Sequence, residues 1–456
     1  MGQIAAALGV ALTLLGLADC TLYSQYNDVS AVTHRVPPQP VTQKTDAPHA
    51  AVPASGSASN LTAASDAAET PPIPPCPHGQ VEYHGMCLPG KGSAAGSTVR
   101  GENSNTGNIS GGSVPNRAPS GGNTSARGAY LVQKAYFGTD RQPLGAAANV
   151  TFGVKRADHL TYGEVDVSIP RDHRRGALES PSVWLLQFHE DPEKHITVLR
   201  TATLAGDAFW SSVRRDIEAS SSRSLLLFIH GFDVGFADAA RRTAQMAYDL
   251  GFGGAPVFFS WPSQGRLSPL AYAADEQAII DAQPHLEQFL REILTQSGAG
   301  NVYLVAHSMG NRALTHVLAS LAAGNPDAVR RIREVILAAP DIGTTEFTEQ
   351  IAPALLRLGA PVTLYASSRD NALAASEQWH NGARLGESGP HLVVLDGIET
   401  IDATDAGDDL LGHSYVGERT VLDDMFYLIS ADMRAGRRCC LRASSLQGHR
   451  YWVFMK

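Results

Sequence analysis

The chain has 456 residues, of which 43% are hydrophobic and 18% are charged, and its formal net charge is -9 at pH 7. These values are ordinary for a folded protein, and a negative net charge without a basic stripe excludes an electrostatic argument for a nucleic-acid partner. Only the part after about residue 128 has the composition of a globular domain, so we expect one folded domain behind an N-terminal appendage.

The first twenty residues have the pattern of an export signal. The apolar run from Ile4 to Leu17 has the length of a signal-peptide core and is too short to span a bilayer core of roughly 30 Å as a helix. Cys20 closes a segment that is similar to the bacterial lipobox, in which the cysteine becomes lipid-modified, although Asp19 stands where a small residue is expected. A membrane-anchored lipoprotein of the bacterial cell envelope is the favoured prediction, with a periplasmic protein freed by signal cleavage and an uncleaved anchor as alternatives.

Residues 21–128 are predicted to be a disordered tether. They are rich in Pro, Ala, Ser, Thr, Gly and Asn, and few large apolar side chains are present to offset the entropy cost of ordering. Within them, Cys76 and Cys87 have a spacing compatible with a small disulfide-closed loop in an oxidising compartment. A zinc knuckle completed by His78 and His84 is the alternative, which the export signal disfavours.

The rest of the sequence alternates predicted strands and helices. The segments at 162–170 and 196–199 read as sheet-edge strands, and from residue 225 continuous apolar runs follow, as is typical of strands buried on both faces. These runs are residues 225–229, 256–260, 302–306, 335–338, 362–366 and 391–395, and helical patterns cover residues 238–250, 269–296, 311–323 and 345–358. The alternation predicts an α/β domain at 129–435 with a mostly parallel, doubly wound sheet flanked by helices. Residues 436–456 are expected to be a C-terminal tail.

The tail region carries two features of its own. Arg434, Arg437, Arg438 and Arg442 form a small basic patch, which we expect to be solvated and without a functional role. The adjacent pair at residues 439–440 consists of two cysteines, and the sequence leaves open whether they are joined.

The third apolar run ends in Ala-His-Ser-Met-Gly at residues 306–310, and a helical pattern follows at once. This is the layout of a nucleophile elbow, in which the tight turn brings strand and helix backbones close and requires small residues two positions before and after the serine. Ser308 is therefore the candidate nucleophile, with Ala306 in place of the usual first glycine and Gly310 on the other side. The alternative is that Ser308 only caps the following helix.

An oxyanion-hole loop is predicted after the first apolar run, where His-Gly-Phe-Asp occupies residues 230–233. A glycine there allows backbone N–H groups to turn towards the site. The predicted donors are the N–H groups of Phe232 and Met309, which would bind the negative oxygen of a tetrahedral intermediate. The alternative is that the segment simply ends a strand.

The remaining members of a catalytic triad are expected at the carboxyl ends of later strands, where the reactive edge of such a sheet lies. Asp370 follows the fifth run and is the predicted acid, which would orient a histidine and stabilise its cation; Asp341, after the fourth run, is the alternative. His413 lies in a loop before the last helical pattern and is the predicted base. The order Ser308, Asp370, His413 is the serine–acid–histidine order of α/β-hydrolases.

At these positions the chain resembles the α/β-hydrolase superfamily and, more narrowly, a bacterial esterase/lipase-like family long described as a domain of unknown function. The motifs that carry the resemblance are residues 136–141 (YFGTDR), 162–163 with 167–170, 230–232 (HGF), 259–263 (FSWPS), 306–310 (AHSMG), 367–370 (SSRD) and 412–415 (GHSY). The resemblance implies the triad Ser308, Asp370 and His413, an open three-layer α/β/α sandwich, and hydrolase chemistry without a cofactor. It implies no particular substrate.

These observations predict a serine hydrolase, and most specifically a carboxylic ester hydrolase that forms an acyl-enzyme. No metal is expected, because His189, Glu190 and His195 lack the spacing of a zinc-protease helix. The gap between the fourth and fifth runs holds little more than one helix, so we expect no large cap over the site. Phe232, Trp261 and Tyr415 are expected to line an accessible pocket for a small-molecule or lipid-like ester, with simple packing of each aromatic ring as the alternative.

Two other functions remain open at this point. An amidase, peptidase or thioesterase would use the same triad and differ only in the leaving group. A non-catalytic envelope protein could use the same scaffold for binding, although an intact Ser308, Asp370 and His413 counts against it. In either case, membrane attachment is expected through a lipid on Cys20 or through the N-terminal apolar segment.

Overall fold

A large mixed sheet organises the protein in the computed structural model, which describes residues 80–83, 86–89, 130–145, 149–181, 189–266, 268–324, 329–369, 371–406 and 421–455. The strands are β1 Gln80–Tyr83, β2 Met86–Pro89, β3 Tyr130–Leu144, β4 Thr151–Pro170, β5 Val198–Leu204, β6 Ser224–Ile229, β7 Ala255–Ser260, β8 Asn301–His307, β9 Ile332–Ala338, β10 Val362–Ala366, β11 Ile398–Asp402, β12 Leu441–Leu446 and β13 His449–Phe454. Strands β1 and β2 pair with each other, and the other described strands form an 11-stranded sheet in the order β12-β13-β11-β10-β9-β8-β6-β7-β3-β4-β5.

The helices connect the strands and cover both faces of the sheet. They are α1 Gly206–Ala219, α2 Phe236–Asp249, α3 Pro269–Gln296, α4 Gly310–Gly324, α5 Thr344–Glu346, α6 Ala352–Arg357, α7 Asn371–His380 and α8 Val421–Ser430, with a π-helical turn Phe347–Ile351 between α5 and α6. No described helix combines the length and the apolar composition that a membrane crossing requires.

The central strands run parallel from β3 through β7, β6, β8, β9, β10 and β11 to β13, whereas β4 and β12 pair antiparallel with their neighbours. All six residues of β6 and of β7 are buried, which explains why their sequences are continuous apolar runs. The predicted mostly parallel sheet is therefore confirmed, and its antiparallel strands lie near the edges.

Side chains from successive residues of one strand enter two different cores. Leu225, Leu227 and Ile229 of β6 pack in a cluster with α1, α3, α4 and α6, whereas Leu226 and Phe228 pack in a second cluster with α2 and α8. This alternation follows from the period of two along a strand. It produces the three-layer α/β/α sandwich that the resemblance implies. Between β9 and β10, residues 339–361 contain only α5, the π-helical turn and α6, so no large cap is inserted there.

The prediction of a strand at residues 391–395 is wrong. The segment begins with a 3-10 turn at Gly389–His391 and continues as a loop, and the strand that pairs with β10 is Ile398–Asp402. Val393 and Leu395 are apolar because they pack against the helices over the sheet. A short apolar run does not by itself distinguish a strand from a packed loop.

The prediction of a C-terminal tail at residues 436–456 is also wrong. Residues 441–446 and 449–454 form the hairpin β12–β13, and β13 extends the sheet by pairing parallel to β11. Arg438, which we expected to be solvated, is buried, and its guanidinium contacts Asp424 at 2.7 Å and Glu399 at 3.1 Å. Its partners are distant in sequence, so local composition gave no sign of them. Cys439 and Cys440 form a disulfide.

Candidate active site

Ser308 lies on the turn between β8 and α4. Its backbone φ is 49°, a left-handed value that costs a non-glycine residue conformational energy and that clusters at functional sites. Neighbouring groups hold this turn: the Ser308 N–H donates to the carbonyl of Ala338 at 2.9 Å, and the Ser308 carbonyl accepts from the N–H groups of Asn311 at 3.1 Å and Asp341 at 3.2 Å. A helix N-cap has an extended backbone instead. The geometry is therefore that of a strand-to-helix elbow rather than that of a cap.

Gly310 shows why this elbow needs a small residue after the serine. A Cβ atom placed on Gly310 would lie 2.5 Å from the carbonyl oxygen of His230 and 2.8 Å from that of Ile229. These distances are shorter than van der Waals contact, and backbone atoms cannot rotate away as a flexible side chain could. The helix can leave the strand at this angle only because residue 310 has no side chain.

The loop after β6 lies against the elbow. A Cβ atom on Gly231 would lie 2.8 Å from Cβ of Ser308 and 3.0 Å from the carbonyl oxygen of His307. Among the residues that the structure describes, the backbone N–H groups of Phe232 and Met309 donate no hydrogen bond. Two unpaired donors beside a serine on a strained turn can bind an oxyanion.

Beneath this loop, His230 is buried and stacks on Trp261, with ring centroids 5.0 Å apart and an angle of 13° between the planes. The indole N–H of Trp261 donates to the carbonyl of His230 at 2.8 Å. Trp261 has no exposed surface, so of the two predictions for this residue the packing alternative is confirmed. Its indole satisfies a buried backbone carbonyl and supports the loop from below.

Asp341, the alternative acid, is fully engaged by other groups. One carboxylate oxygen accepts from Arg384 Nε at 2.8 Å and Ser376 Oγ at 2.6 Å, and the other accepts from Tyr272 OH at 2.6 Å and Arg312 Nη2 at 3.0 Å. Burial by itself raises the pKa of Asp341, but Arg312 and Arg384 bring it below its ordinary value. With four donors already bound, this carboxylate has no free position for a histidine N–H.

The same cluster forms a wall beside the elbow that the sequence did not reveal. The Tyr272 ring lies edge-on to Phe232 at 5.2 Å and to Trp379 at 6.4 Å between centroids, and Trp379 is 52% exposed. Behind it, Glu276 accepts from Arg312 Nη1 at 2.6 Å and lies 2.7 Å from His380 Nε2. A partial signal was present, because Tyr272 and Glu276 are four residues apart on a predicted helix, but nothing in that pattern identified their partners.

Asp370 and His413, the predicted acid and base, lie outside the described residues, as does Tyr415. Their segments follow β10 and β11, respectively, and both strands belong to the parallel series that contains β8. Cys20, Cys76, His78 and His84 also fall outside the described residues, and the strand that contains Cys87 is described by its backbone alone.

One group of described side chains has the spacing of a cation site. The ligand atoms of Glu377, Glu387 and His391 lie within 4.8 Å of one another, and His391 Nε2 is 3.6 Å from Glu377 Oε1. The same contact is explained by an ordinary ion pair. Two of the residues considered as zinc ligands have other partners: His195 Nδ1 accepts from the N–H of Asp191 at 2.9 Å, and Glu190 pairs with Arg241.

A parallel sheet with a serine on a strand-to-helix elbow is the arrangement found in the α/β-hydrolase fold. The family model described as "Alpha/beta hydrolase of unknown function" (DUF900) matches residues 205–430 of this chain. The match confirms the predicted α/β-hydrolase fold, and it supports the resemblance of the motifs to the α/β-hydrolase superfamily.

Individual relatives are distant. An uncharacterized protein of Nostoc sp. is 35% identical over 65 residues, which are 14% of this chain and 16% of that protein, so the match spans about one sixth of the relative's length. Among solved structures, an inhibited esterase B from Lactobacillus rhamnosis is 15% identical with a TM-score of 0.22, covering 41% of this chain and 67% of that chain. Phospholipase PlaB from Legionella pneumophila, in complex with thio-NAD, is 9% identical with a TM-score of 0.28, covering 51% of this chain and 67% of that chain. At such TM-scores we transfer neither substrate nor mechanism from these proteins.

Proposed function

We propose that this protein is a serine hydrolase that cleaves carboxylic esters. The observation that carries the proposal is the position of Ser308 at φ 49° against Gly231, beside the unpaired N–H groups of Phe232 and Met309. A nucleophile and oxyanion donors in one place are the two parts that acyl transfer requires.

In the proposed mechanism, Ser308 Oγ attacks the ester carbonyl while His413 takes its proton, and Asp370 orients the imidazole and stabilises its cation. The carbonyl oxygen becomes negative and binds the N–H groups of Phe232 and Met309. The intermediate collapses as His413 protonates the leaving alkoxide, which departs as the alcohol. Water, deprotonated by His413, then attacks the acyl-enzyme to form a second tetrahedral intermediate. As this intermediate releases the acid, His413 returns the proton to Ser308 Oγ.

The substrate class follows from the surroundings of the elbow. Phe232, Tyr272 and Trp379 offer aromatic surface, and no large cap in the β9–β10 connection covers them. Such a site suits a small-molecule or lipid-like ester whose acyl or alkyl group packs on the rings. We further propose that the protein acts in the bacterial cell envelope, held at a membrane through Cys20 or the apolar segment before it.

Hydrolysis of p-nitrophenyl acetate, butyrate and decanoate tests the proposal in the full chain, together with covalent labelling by a fluorophosphonate. We expect turnover and labelling in the wild type and neither in Ser308→Ala. Ser320→Ala, at an exposed serine on the helix that follows the elbow, is the matched control and should retain both. Wild-type protein that neither hydrolyses esters nor labels would contradict the proposal and favour a binding role.

Leaving-group preference distinguishes an ester hydrolase from a thioesterase or an amidase that uses the same catalytic residues. Matched butyrates with phenolate, thiolate and anilide leaving groups would be compared by kcat/KM after correction for their uncatalysed rates. An esterase should favour the oxygen ester. A larger acceleration on the thioester or anilide would assign the same Ser308 machinery to a thioesterase or an amidase instead.

A further inference from the structure

Arg141, at the end of the Tyr-Phe-Gly-Thr-Asp-Arg motif, is a buried cation that binds only neutral oxygens among the described residues. Its Nε donates to Ser260 Oγ at 2.9 Å, and its Nη groups donate to the carbonyls of Val234 at 2.8 Å, Ser263 at 3.1 Å and Gly153 at 3.2 Å. Burial lowers the pKa of Arg141 to about 10, so the group remains a cation at neutral pH. A buried charge without a contacting carboxylate is costly, which indicates a role beyond packing.

A chain of hydrogen bonds leads from Arg141 to the loop beside Ser308. Because a guanidinium can only donate, Ser260 Oγ accepts from it and has its own hydrogen available for His230 Nε2, which lies 3.3 Å away. If Nε2 accepts, the ring proton is on Nδ1, and Nδ1 lies 2.9 Å from the carbonyl oxygen of Gly231. With Nε2 as the acceptor from Ser260, and not as a donor to the Trp261 carbonyl that the ring also contacts, every hydrogen bond in this chain points away from Arg141.

The protonation state of His230 supports this arrangement. Its burial, and next the charge of Arg141, lower the pKa of His230 to about 3, so the ring is neutral at physiological pH and has one donor and one acceptor nitrogen. The indole of Trp261 stacks on the ring and holds its plane. The ring can therefore transmit the constraint from Ser260 to Gly231.

The Gly231 carbonyl oxygen, which lies against His230, belongs to the same peptide group as the N–H of Phe232, the proposed oxyanion donor. The carbonyl of Gly231 and the N–H of Phe232 are part of one planar trans peptide, so they point in opposite directions. Holding the carbonyl towards His230 therefore turns the Phe232 N–H away from His230. Arg141 also binds the carbonyl of Val234, which fixes the far end of the same loop.

We propose that Arg141 and Ser260 are positioning residues that, through the tautomer of His230, hold the Gly231–Phe232 peptide in the orientation in which Phe232 N–H binds the oxyanion. This proposal rests on the proposed function, since it assigns a role within the same site. The proposed role explains why the charged side chain of Arg141 is buried behind the loop that follows β6.

The kinetic test is Ser260→Ala, which removes the hydroxyl that links Arg141 to His230 but leaves the cation in place. We expect kcat for p-nitrophenyl butyrate to fall about 10- to 100-fold with KM changed less than about twofold, because the oxyanion contact develops only in the transition state. Ser168→Ala is the matched control: it removes another fully buried strand hydroxyl, which bonds the carbonyl of His195 at 3.0 Å. Equal kcat in both variants at similar Tm would overturn the proposal.

A spectroscopic readout separates positioning from general stability. In protein labelled with ¹⁵N-histidine, the His230 signals, assigned by their loss in His230→Asn, should report a neutral ring protonated at Nδ1 between pH 5 and about 8. Ser260→Ala should shift this ring towards protonation at Nε2, and Ser168→Ala should not. An Nε2-protonated ring in wild-type protein that labels with fluorophosphonate would contradict the positioning chain alone. Absence of labelling would contradict the proposed function, whatever the tautomer.

Discussion

Gly231 lies directly against Ser308, so closely that a Cβ atom on the glycine would be 2.8 Å from Cβ of the serine. The loop that carries one proposed oxyanion donor and the turn that carries the proposed nucleophile are therefore in close atomic contact. A methyl group at this contact has to separate them.

Gly231→Ala is expected to lower kcat/KM for p-nitrophenyl butyrate about 100-fold, because the loop must move away from Ser308 and the Phe232 N–H loses its place. Gly253→Ala is the matched control, since its Cβ would meet nothing closer than Ser220 Oγ at 3.9 Å. Steady-state kinetics on both variants is the measurement. Equal activity would mean that the loop does not take part in catalysis.

The two ends of α4 provide a paired test of the elbow. Gly310→Ala places a methyl group 2.5 Å from the carbonyl oxygen of His230, and we expect it to lower the free energy of unfolding by about 2 kcal/mol or more. Gly324→Ala, where no described atom lies within 4 Å of the added Cβ, should instead be neutral or stabilise by about 0.5 kcal/mol. Urea unfolding of both variants measures the difference. Similar stability in the two variants would contradict the close approach at residue 310.

Substitution of Asp341 should reduce stability, whereas substitution of Asp370 should reduce catalysis. Asp341→Asn leaves Arg312 and Arg384 without their shared carboxylate, so we expect a loss of about 3 kcal/mol in the free energy of unfolding. Asp370→Asn should lower kcat by about 10⁴-fold because the histidine would be held in the wrong tautomer. Unfolding curves and kinetics on both variants test the assignment. A 10⁴-fold loss of kcat in Asp341→Asn, with Asp370→Asn active, would exchange the two roles.

His173 should make stability depend on pH. It lies 2.8 Å from both Asp249 and Glu179, and although burial alone lowers the pKa of His173, these carboxylates raise it to about 9. Because the folded value is above the ordinary 6.5, this contribution is full below about pH 6.5 and is lost as the pH rises through 9. We expect the free energy of unfolding to fall by about 3 kcal/mol over that range in the wild type but not in His173→Gln. His159→Gln, at an exposed histidine, should retain the wild-type dependence, and an identical slope in all three proteins would contradict the pairing.

The neighbouring arginines Arg437 and Arg438 test the C-terminal part of the fold. Arg438 is buried against Asp424, and burial raises the pKa of Asp424 to about 6 even with this partner in place. Arg438→Leu should therefore lower the free energy of unfolding by about 3 kcal/mol, because an unpaired carboxylate is left inside the protein. Arg437→Leu changes an exposed residue and should have an effect below about 0.5 kcal/mol. Equal effects would place both side chains in solvent.

Much of the central sheet was predictable, because strands buried on both faces have continuous apolar sequences. β6, β7, β8, β9 and β10 all coincide with such runs. The same rule misplaced the next strand, since Val393 and Leu395 are apolar for packing in a loop. It also missed β12, which is the edge strand of the sheet, and β13 beside it, because both strands contain exposed polar residues.

The sequence by itself determined the class of fold and the candidate nucleophile. The hydrophobic pattern of the strands and helices, the small residues around Ser308 and the order of the candidate residues along the chain are all visible in the sequence. Only the tertiary structure decided that two arginines bind Asp341, that the indole of Trp261 bonds the carbonyl of His230, and that Ser260 and His230 connect Arg141 to Gly231. These relationships join side chains from different strands and helices. A buried polar group must find its partner in space, and its neighbours along the chain do not specify which partner that is.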